Sequence, residues 1–516
     1  MTTRNLPVAV IGAGIGGLSA ALALASNGIE VDVFEASPGV GGKLRQVSVD
    51  GTLIDSGPTV FTMRWVFEEL FAGAGTSFGR QLQARPLSLL ARHAWGAEQR
   101  LDLYADLERT VEAIGEFAGA AESRRYRAFC EQAGRTYRTL EKPFLRAQRP
   151  DPFSLTARVA AAGLSGLRQI QPFFSLSRTL RRHFRDPRLQ QLFGRYATYC
   201  GSSPFLAPAT LMLVSHVERR GVWHLRGGMQ RLAAAMQVVA EARGARFHFN
   251  AAVTEIGLDS GRVSHVGMID GSRHSCSAIV CNADPAALRE GLFGARARMA
   301  VRPGRAAGAR SLSAVTWCLQ CRAEGFPLSH HNVFFSSDYR REFDDILLRQ
   351  SLPREPTVYV CAQDRQADEA VSGAPQERLL CLVNAPATGD RHHFDFGEIE
   401  LCATRTFRQL ARCGLQLQHG PTQAVVTTPN DFARRFPATG GALYGQPSHG
   451  WRASFSRPGS RSAIPGLYLA GGGTHPGPGL PMAALSGRLA AASLLQDLTS
   501  PRVLRGTAIT GGTLTP

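Results

Sequence analysis

No apolar run in this 516-residue sequence approaches the ~18–20 residues that carry a helix across a bilayer, which excludes a bundle of membrane-spanning helices. Lysine is almost missing. Of 58 basic residues only Lys43 and Lys142 are lysines, so arginine supplies nearly all of a net charge of +17. Basic blocks interleaved with stacking aromatics are also missing, as is any nucleic-acid-binding module, so nucleic acid is not the expected partner. The arginine excess has two readings, a genome rich in G and C or an attraction to anionic lipid headgroups. Cysteines number ten and are scattered, and the lone CxxC (Cys318, Cys321) has no second pair at a metal-binding spacing. Its segment, residues 313–321, reads as a strand whose thiols pack in a core, so neither a metal site nor a redox pair is expected. The first predicted strand starts around Leu6 and leaves no room for a signal peptide. With reduced thiols, that predicts a cytosolic protein, or one seated on a membrane from the cytosolic side.

What is present fits a folded chain of two or three domains: hydrophobic residues make up 44% and charged residues 19%. No internal repeat is found, and low complexity is confined to the Gly/Thr-rich tail after Leu504. Residues 6–11 form a short β-type run that leads into Gly12-Ala13-Gly14-Ile15-Gly16-Gly17 and a helical stretch over 18–25. Asn27 and Gly28 end that helix, a second strand covers 29–34, and Glu35 closes it. Each part has a physical job in dinucleotide binding. Gly12 permits the tight turn, Gly14 lets the backbone approach a pyrophosphate, and Gly17 lets the helix pack closely on the strand. Ile15 and Gly16 complete the turn at the helix N-terminus, whose partial positive charge stabilises phosphate. Glu35 stands about 20 residues on, where an acid accepts hydrogen bonds from ribose hydroxyls.

NAD and FAD share this unit, and the next segment separates them. Ala36-Ser37-Pro38-Gly39-Val40-Gly41-Gly42-Lys43-Leu44 resembles the glycine-pair-plus-base element of the flavin-dependent amine oxidase and carotenoid desaturase superfamily. Asp55-Ser56-Gly57-Pro58-Thr59 resembles the same superfamily's next flavin-facing turn. The cofactor implied is FAD, with Ala36 and residues 41–44 at its ribose, diphosphate and ribityl chain. The order of parts then implies an α/β fold: a Rossmann-type FAD-binding domain, a β-sheet substrate domain and a helical region. The expected division is 1–95, 221–300 and 431–516 for the FAD-binding domain, 96–220 for the helical region and 301–430 for the substrate domain. In the helical region, residues 164–184 alternate apolar bulk with arginine, as either a membrane-interface segment or a surface helix with a buried stripe would. Residues 252–284 read as a small β-meander, in which the resemblance assigns backbone groups of Val253 to the adenine; ordinary sheet pairing is the other reading.

The C-terminal stretch, residues 466–487, contains Gly471-Gly472-Gly473-Thr474-His475-Pro476-Gly477-Pro478-Gly479-Leu480-Pro481-Met482. A strand feeds a glycine-rich turn and a helix starts near Pro481, so Gly472, Gly473, Pro481 and Met482 would meet the flavin. With the N-terminal fingerprint, this run resembles the bacterial phytoene desaturase family. Flavin amine oxidases usually carry Gly-Asp after this strand; three glycines stand here instead. Residues 434–445 and 481–487 resemble one branch in particular, the hydroxyneurosporene (methoxyneurosporene) desaturases. The resemblance implies removal of two hydrogens from a 1-hydroxylated acyclic carotenoid, installing a C3–C4 double bond on the way to spheroidene- or spirilloxanthin-type pigments. It also implies quinone or oxygen as electron acceptor and peripheral membrane association. No catalytic base is assigned. His475 is the candidate to orient substrate or accept a proton, with a structural hydrogen-bonding role as its other reading. Three alternatives stay open: a phytoene or neurosporene desaturase acting on unmodified chain ends, a redox-neutral carotene isomerase, and a lipid-binding carrier resembling the GDP-dissociation inhibitors.

Overall fold

A computed structural model of the chain describes residues 6–148, 174–302, 309–365 and 376–499. The short runs Val8–Ile11 and Val31–Phe34 are almost wholly apolar and buried on both faces, as strands inside a covered parallel sheet must be. They form the centre of a five-stranded parallel sheet in the order Leu467–Leu469, Ala278–Cys281, Val8–Ile11, Val31–Phe34, Ala245–His248. The strand order reverses between Val8–Ile11 and Ala278–Cys281. In such sheets ligands bind outside the carboxyl ends of the strands at that reversal. The expected meander at 252–284 is therefore split. Val253–Asp259, Arg262–Met268 and Arg273–Ser275 make a three-stranded antiparallel sheet, while Ala278–Cys281 joins the parallel one. Helices Ile15–Ala25, Gln230–Ala242 and Leu480–Thr499 pack together over the parallel sheet.

A second sheet of eight strands runs Gln416–Gln418, Ser313–Glu324, Glu377–Ala385, Val358–Ala362, His331–Phe334, Leu89–Ala94, Arg100–Tyr104, with Ala424–Thr427 also paired to Ser313–Glu324. Alternation along its strands sends Val333 and Phe335 to one face and Phe334 to the other. The first face is covered by the helical region, including Leu107–Ala118, Ala120–Leu140 and Pro187–Gly194; the second is covered by Phe396–Arg412. The hairpin of Leu89–Ala94 and Arg100–Tyr104 belongs to this sheet, so the boundary expected at residue 95 falls inside a paired hairpin. Cys318 and Cys321 are buried on Ser313–Glu324 and unbridged.

Of the arginine-rich segment, residues 164–173 lie outside the described residues. The rest forms helix Leu176–His183, with Leu176, Thr179 and Leu180 buried and Arg178, Arg181 and Arg182 exposed. Arg178 and Arg182 sit over the Phe174 ring at 5.1 and 4.3 Å. Among the described residues, no helix is long and apolar enough to cross a membrane.

Candidate active site

At the carboxyl end of Val8–Ile11 the chain turns at Gly12 (φ +90°), whose N–H donates to the Phe34 carbonyl at 2.8 Å. A Cβ on Gly17 would lie 2.0 Å from the Gly12 carbonyl oxygen, and one on Gly16 would lie 2.5 Å from Asn282 Oδ1 and 2.7 Å from the Gly471 nitrogen. The first helix therefore approaches both its own strand and the Gly471 turn as closely as backbone allows. Helix Ile15–Ala25 starts at Gly14 with no side-chain cap, and Ile15, Gly16 and Gly17 are buried. A buried helix start with no capping side chain calls for an acceptor from outside the chain, which an anionic diphosphate supplies.

Two further segments close on this turn. Gly41 forms a parallel bridge with Gly14 and donates its N–H to the Ala13 carbonyl at 2.9 Å, and a Cβ on Gly42 would lie 3.2 Å from the Gly14 Cα. Leu44, buried, donates its N–H to the Gly41 carbonyl at 3.0 Å. Glu35, 8% exposed, accepts the N–H of Ala13 at 2.7 Å and of Ser37 at 2.8 Å, one on each carboxylate oxygen. That carboxylate holds the glycine turn in place while retaining lone pairs for another donor. Ala36 beside it is exposed, and Val253, opposite Met268 in the antiparallel sheet, packs against the cluster containing Ala9, Ile11 and Phe34.

Deeper in, the Lys43 ammonium donates to the Leu443 carbonyl at 2.6 Å and lies 5.1 Å from the centre of the Phe436 ring. Burial pushes its pKa down and the Asp284 carboxylate opposes the shift. Arg457, 3% exposed, donates to the carbonyls of Tyr444 and Gly472, each at 3.2 Å, and to that of Gln446. It thereby ties the 444–446 turn to the glycine turn after Leu467–Leu469. Burial lowers its pKa as well, but a guanidinium stays charged. Residues Asn282, Asp284 and Arg457 were not among the sequence candidates. The first two directly follow a strand of the parallel sheet, a position that marks the ligand-binding edge. Arg457 has no local signal.

The turn carrying Gly57, Pro58 and Thr59 is pinned from two sides. The Asp55 N–H donates to Gln363 Oε1 at 3.0 Å and Gln363 Nε2 donates to the Asp55 carbonyl at 2.8 Å, which hooks the turn onto the end of Val358–Ala362. The Asp55 carboxylate accepts the Met229 N–H at 2.6 Å, and burial raises its pKa against that bond. Thr59 Oγ1 lies 2.6 Å from the Tyr359 hydroxyl, which lies 2.8 Å from His331 Nδ1. Gly472 and Gly473 sit beside Asp284 and Arg457, and Pro481 and Met482 open helix Leu480–Thr499, with Pro481 buried and Met482 half-buried. His475, 4% exposed, has its Nε2 within 2.9 Å of the Phe144 carbonyl and 3.0 Å of the Ala147 carbonyl. Two acceptors require that nitrogen to carry hydrogen, so it serves as a donor that joins the glycine turn to the helical region.

The family profile described as flavin containing amine oxidoreductase matches residues 15–495. The chain is 52% identical to a hydroxyneurosporene desaturase of Rubrivivax gelatinosus, over 99% of this chain and 97% of the relative. It is 44% identical to the enzyme of the same name from Cereibacter sphaeroides, over 96% of this chain and 98% of the relative. This chain belongs to the flavin-containing amine oxidoreductase family, in its carotenoid desaturase branch. A more distant member, 28% identical over 93% of this chain and 97% of its own, is a 1-hydroxycarotenoid 3,4-desaturase of a Flavobacterium species. The solved structure of putrescine oxidase superposes with a TM-score of 0.59 at 16% identity, covering 95% of this chain and 99% of that one, a likeness of fold alone. The flavoenzyme is an oxidoreductase and its cofactor is FAD. The uncapped start of Ile15–Ala25 and the glycine contacts that leave no room for side chains fit that group.

Proposed function

We propose that this flavoenzyme removes two hydrogens from a 1-hydroxylated acyclic carotenoid, introducing the C3–C4 double bond of spheroidene- or spirilloxanthin-type pigments. The observation that carries the reading is 52% identity along 99% of the chain to a hydroxyneurosporene desaturase, supported by close contacts at Gly16, Gly17, Gly471 and Gly473 that leave no room for side chains. When bound, FAD supplies the hydride-accepting chemistry. The chain supplies placement. Gly12 makes the turn that brings the N–H groups of Gly14, Ile15, Gly16 and Gly17 to the diphosphate, Glu35 and Ala36 face the ribose, and Val253 offers backbone to the adenine. Gly41, Gly42, Lys43 and Leu44 lie along the diphosphate and ribityl chain. Gly57, Pro58, Thr59, Gly472, Gly473, Pro481 and Met482 surround the flavin ring, with the positive end of helix Leu480–Thr499 toward it. Lys43 and Arg457 add positive charge to this pole, which favours an electron-rich cofactor. His475 acts as a positioning residue through the Phe144 and Ala147 carbonyls. Quinone or oxygen takes the electrons, and exposed Arg178, Arg181 and Arg182 hold the protein to the cytosolic face of an anionic membrane that dissolves the substrate.

The test is reconstitution with FAD and liposomes, offering phytoene, neurosporene and 1-hydroxyneurosporene in parallel. A two-hydrogen mass loss from the hydroxylated substrate alone is expected. Turnover of phytoene would overturn the substrate assignment, and isomerisation without mass change would overturn the reaction. In the same assay, reversing charge at Arg178, Arg181 and Arg182 should abolish co-sedimentation with anionic vesicles; unchanged sedimentation would refute the membrane role.

A further inference from the structure

Beside the Thr59–Tyr359 pair lies a guanidinium that nothing above uses. Arg195 opens the 3-10 turn Arg195–Cys200, which ends at Gly201; a Cβ on Gly201 would lie 2.5 Å from the Tyr444 ring and 2.7 Å from Ser311 Cβ. This turn is thus packed directly against the 444–446 segment that Arg457 ties to Gly472. The Arg195 guanidinium carbon lies 5.5 Å from the centre of the Tyr199 ring and 5.3 Å from that of Tyr359. Arg195, Tyr199, Cys200 and Tyr444 all sit deep in the protein yet keep accessible surface, so they face an interior space rather than bulk solvent.

The charge at Arg195 has no salt-bridge partner among the described residues. The nearest carboxylate, Glu218, accepts the hydroxyls of Tyr196, at 2.6 Å, and Tyr199. Aromatic faces offset part of the cost of a desolvated cation, but they accept none of its directed N–H bonds. The Tyr199 hydroxyl accepts one bond from the guanidinium, and the fork's remaining donors are open to an acceptor in the interior space. An acyclic carotenoid is hydrocarbon except at a hydroxylated end. In a 1-hydroxylated chain the oxygen is three bonds from C3, no more than about 4 Å on ordinary bond lengths. The group that reads that oxygen must therefore lie beside the flavin-facing turn. Arg195 does, with one tyrosine between it and Thr59.

We propose that Arg195 donates to the 1-hydroxyl of the substrate and so determines that the enzyme takes a hydroxylated chain end. The inference rests on the function proposed above and names the residue that makes the choice. A charged donor to a neutral hydroxyl is worth about 1.5–3 kcal/mol, or about 10- to 150-fold in selectivity. Tyr199 and Tyr359 hold the guanidinium against the wall, and His331, through the Tyr359 hydroxyl, fixes that ring.

The experiment measures kcat/KM for 1-hydroxyneurosporene and for neurosporene with FAD-loaded wild type, Arg195→Met and Arg195→Lys, recording FAD content and melting temperature for each. The expected result is a preference for the hydroxylated substrate that falls about 10- to 150-fold in Arg195→Met, is partly kept in Arg195→Lys, and changes at equal FAD content. A preference that survives both substitutions would overturn the role of Arg195 while leaving the function standing. Equal losses on both substrates would assign Arg195 a structural role and also overturn it. If Arg195→Met fails to fold, Arg195→Lys decides by the same ratio. A wild type with no preference would overturn the proposed function, and this inference with it.

Discussion

The hydrogen on Gly17 faces the Gly12 carbonyl where a methyl would stand 2.0 Å away, so Gly17→Ala must push strand and helix apart. Such overpacking costs about 1–3 kcal/mol. It should appear as a melting temperature lowered by several degrees and a reduced flavin absorbance per protein; full FAD occupancy would refute the close-approach argument. Glu342, 1% exposed on helix Tyr339–Leu347, makes a prediction about pH. Burial raises its carboxyl from 4.5 to about 7, against bonds from Thr357 and Ser336. Below pH 4.5 both folded and unfolded chains hold the proton. Between 4.5 and 7 the unfolded chain loses it first, so stability falls as pH rises. Glu342→Gln should lack this component, and the melting-temperature difference between wild type and variant should shift in the variant's favour from pH 5 to 8. A difference constant with pH would contradict the assignment. At this scale the glycines, Glu35 and Lys43 were legible because local spacing betrays them. Asn282 and Asp284 were not, since the glycines they meet come from segments more than a hundred residues away; Arg195 meets Tyr359 across a similar distance, and Arg457 bonds nearby backbone carbonyls, which no sequence pattern marks.

Two helices stand out in the sequence, over 230–243 and near 398–413, and the structure has them at Gln230–Ala242 and Phe396–Arg412, the latter opened by an Asp395–Glu398 capping box. Strands Leu89–Ala94 and His331–Phe334 escaped. The first carries Leu, Ala, Arg and His with no β-branched residue and no clean alternation, and its polar Arg92 is satisfied by Asp102 across the hairpin and by the distant Pro327 carbonyl. Their strand state comes from pairing with each other across more than two hundred residues. Element junctions carry the next two predictions. Asp55 caps the start of Gln230–Ala242 through the Met229 N–H, so Asp55→Ala should cost about 1–2 kcal/mol in denaturant unfolding. Unchanged stability would show the cap to be dispensable. On helix Leu480–Thr499 a Cβ at Gly487 would fall 2.1 Å from the Gly16 carbonyl. Gly487→Val should therefore separate this helix from Ile15–Ala25 and release FAD, read by flavin fluorescence in the ultrafiltrate; a fully retained flavin would refute it.

Across the whole molecule, the parallel sheet takes its strands from residues 8–34, 245–281 and 467–469, and the substrate sheet is threaded through the gaps. The domain order read from the sequence follows the glycine motifs, while the hairpin at 89–104 crosses over because pairing partners, not neighbours in sequence, decide which sheet a strand enters. The late arrival of Leu467–Leu469 has a consequence for biosynthesis. Residues 8–34 leave the ribosome early, yet the turn at Gly471 that packs on Gly16 and the helix that packs on Ile15–Ala25 emerge only after more than four hundred further residues. The cofactor cradle thus has no complete form on a nascent chain. Its first glycine loop waits with one wall missing until those later residues have been made, so the flavin site is completed by the last part of the fold to be synthesised among the described residues.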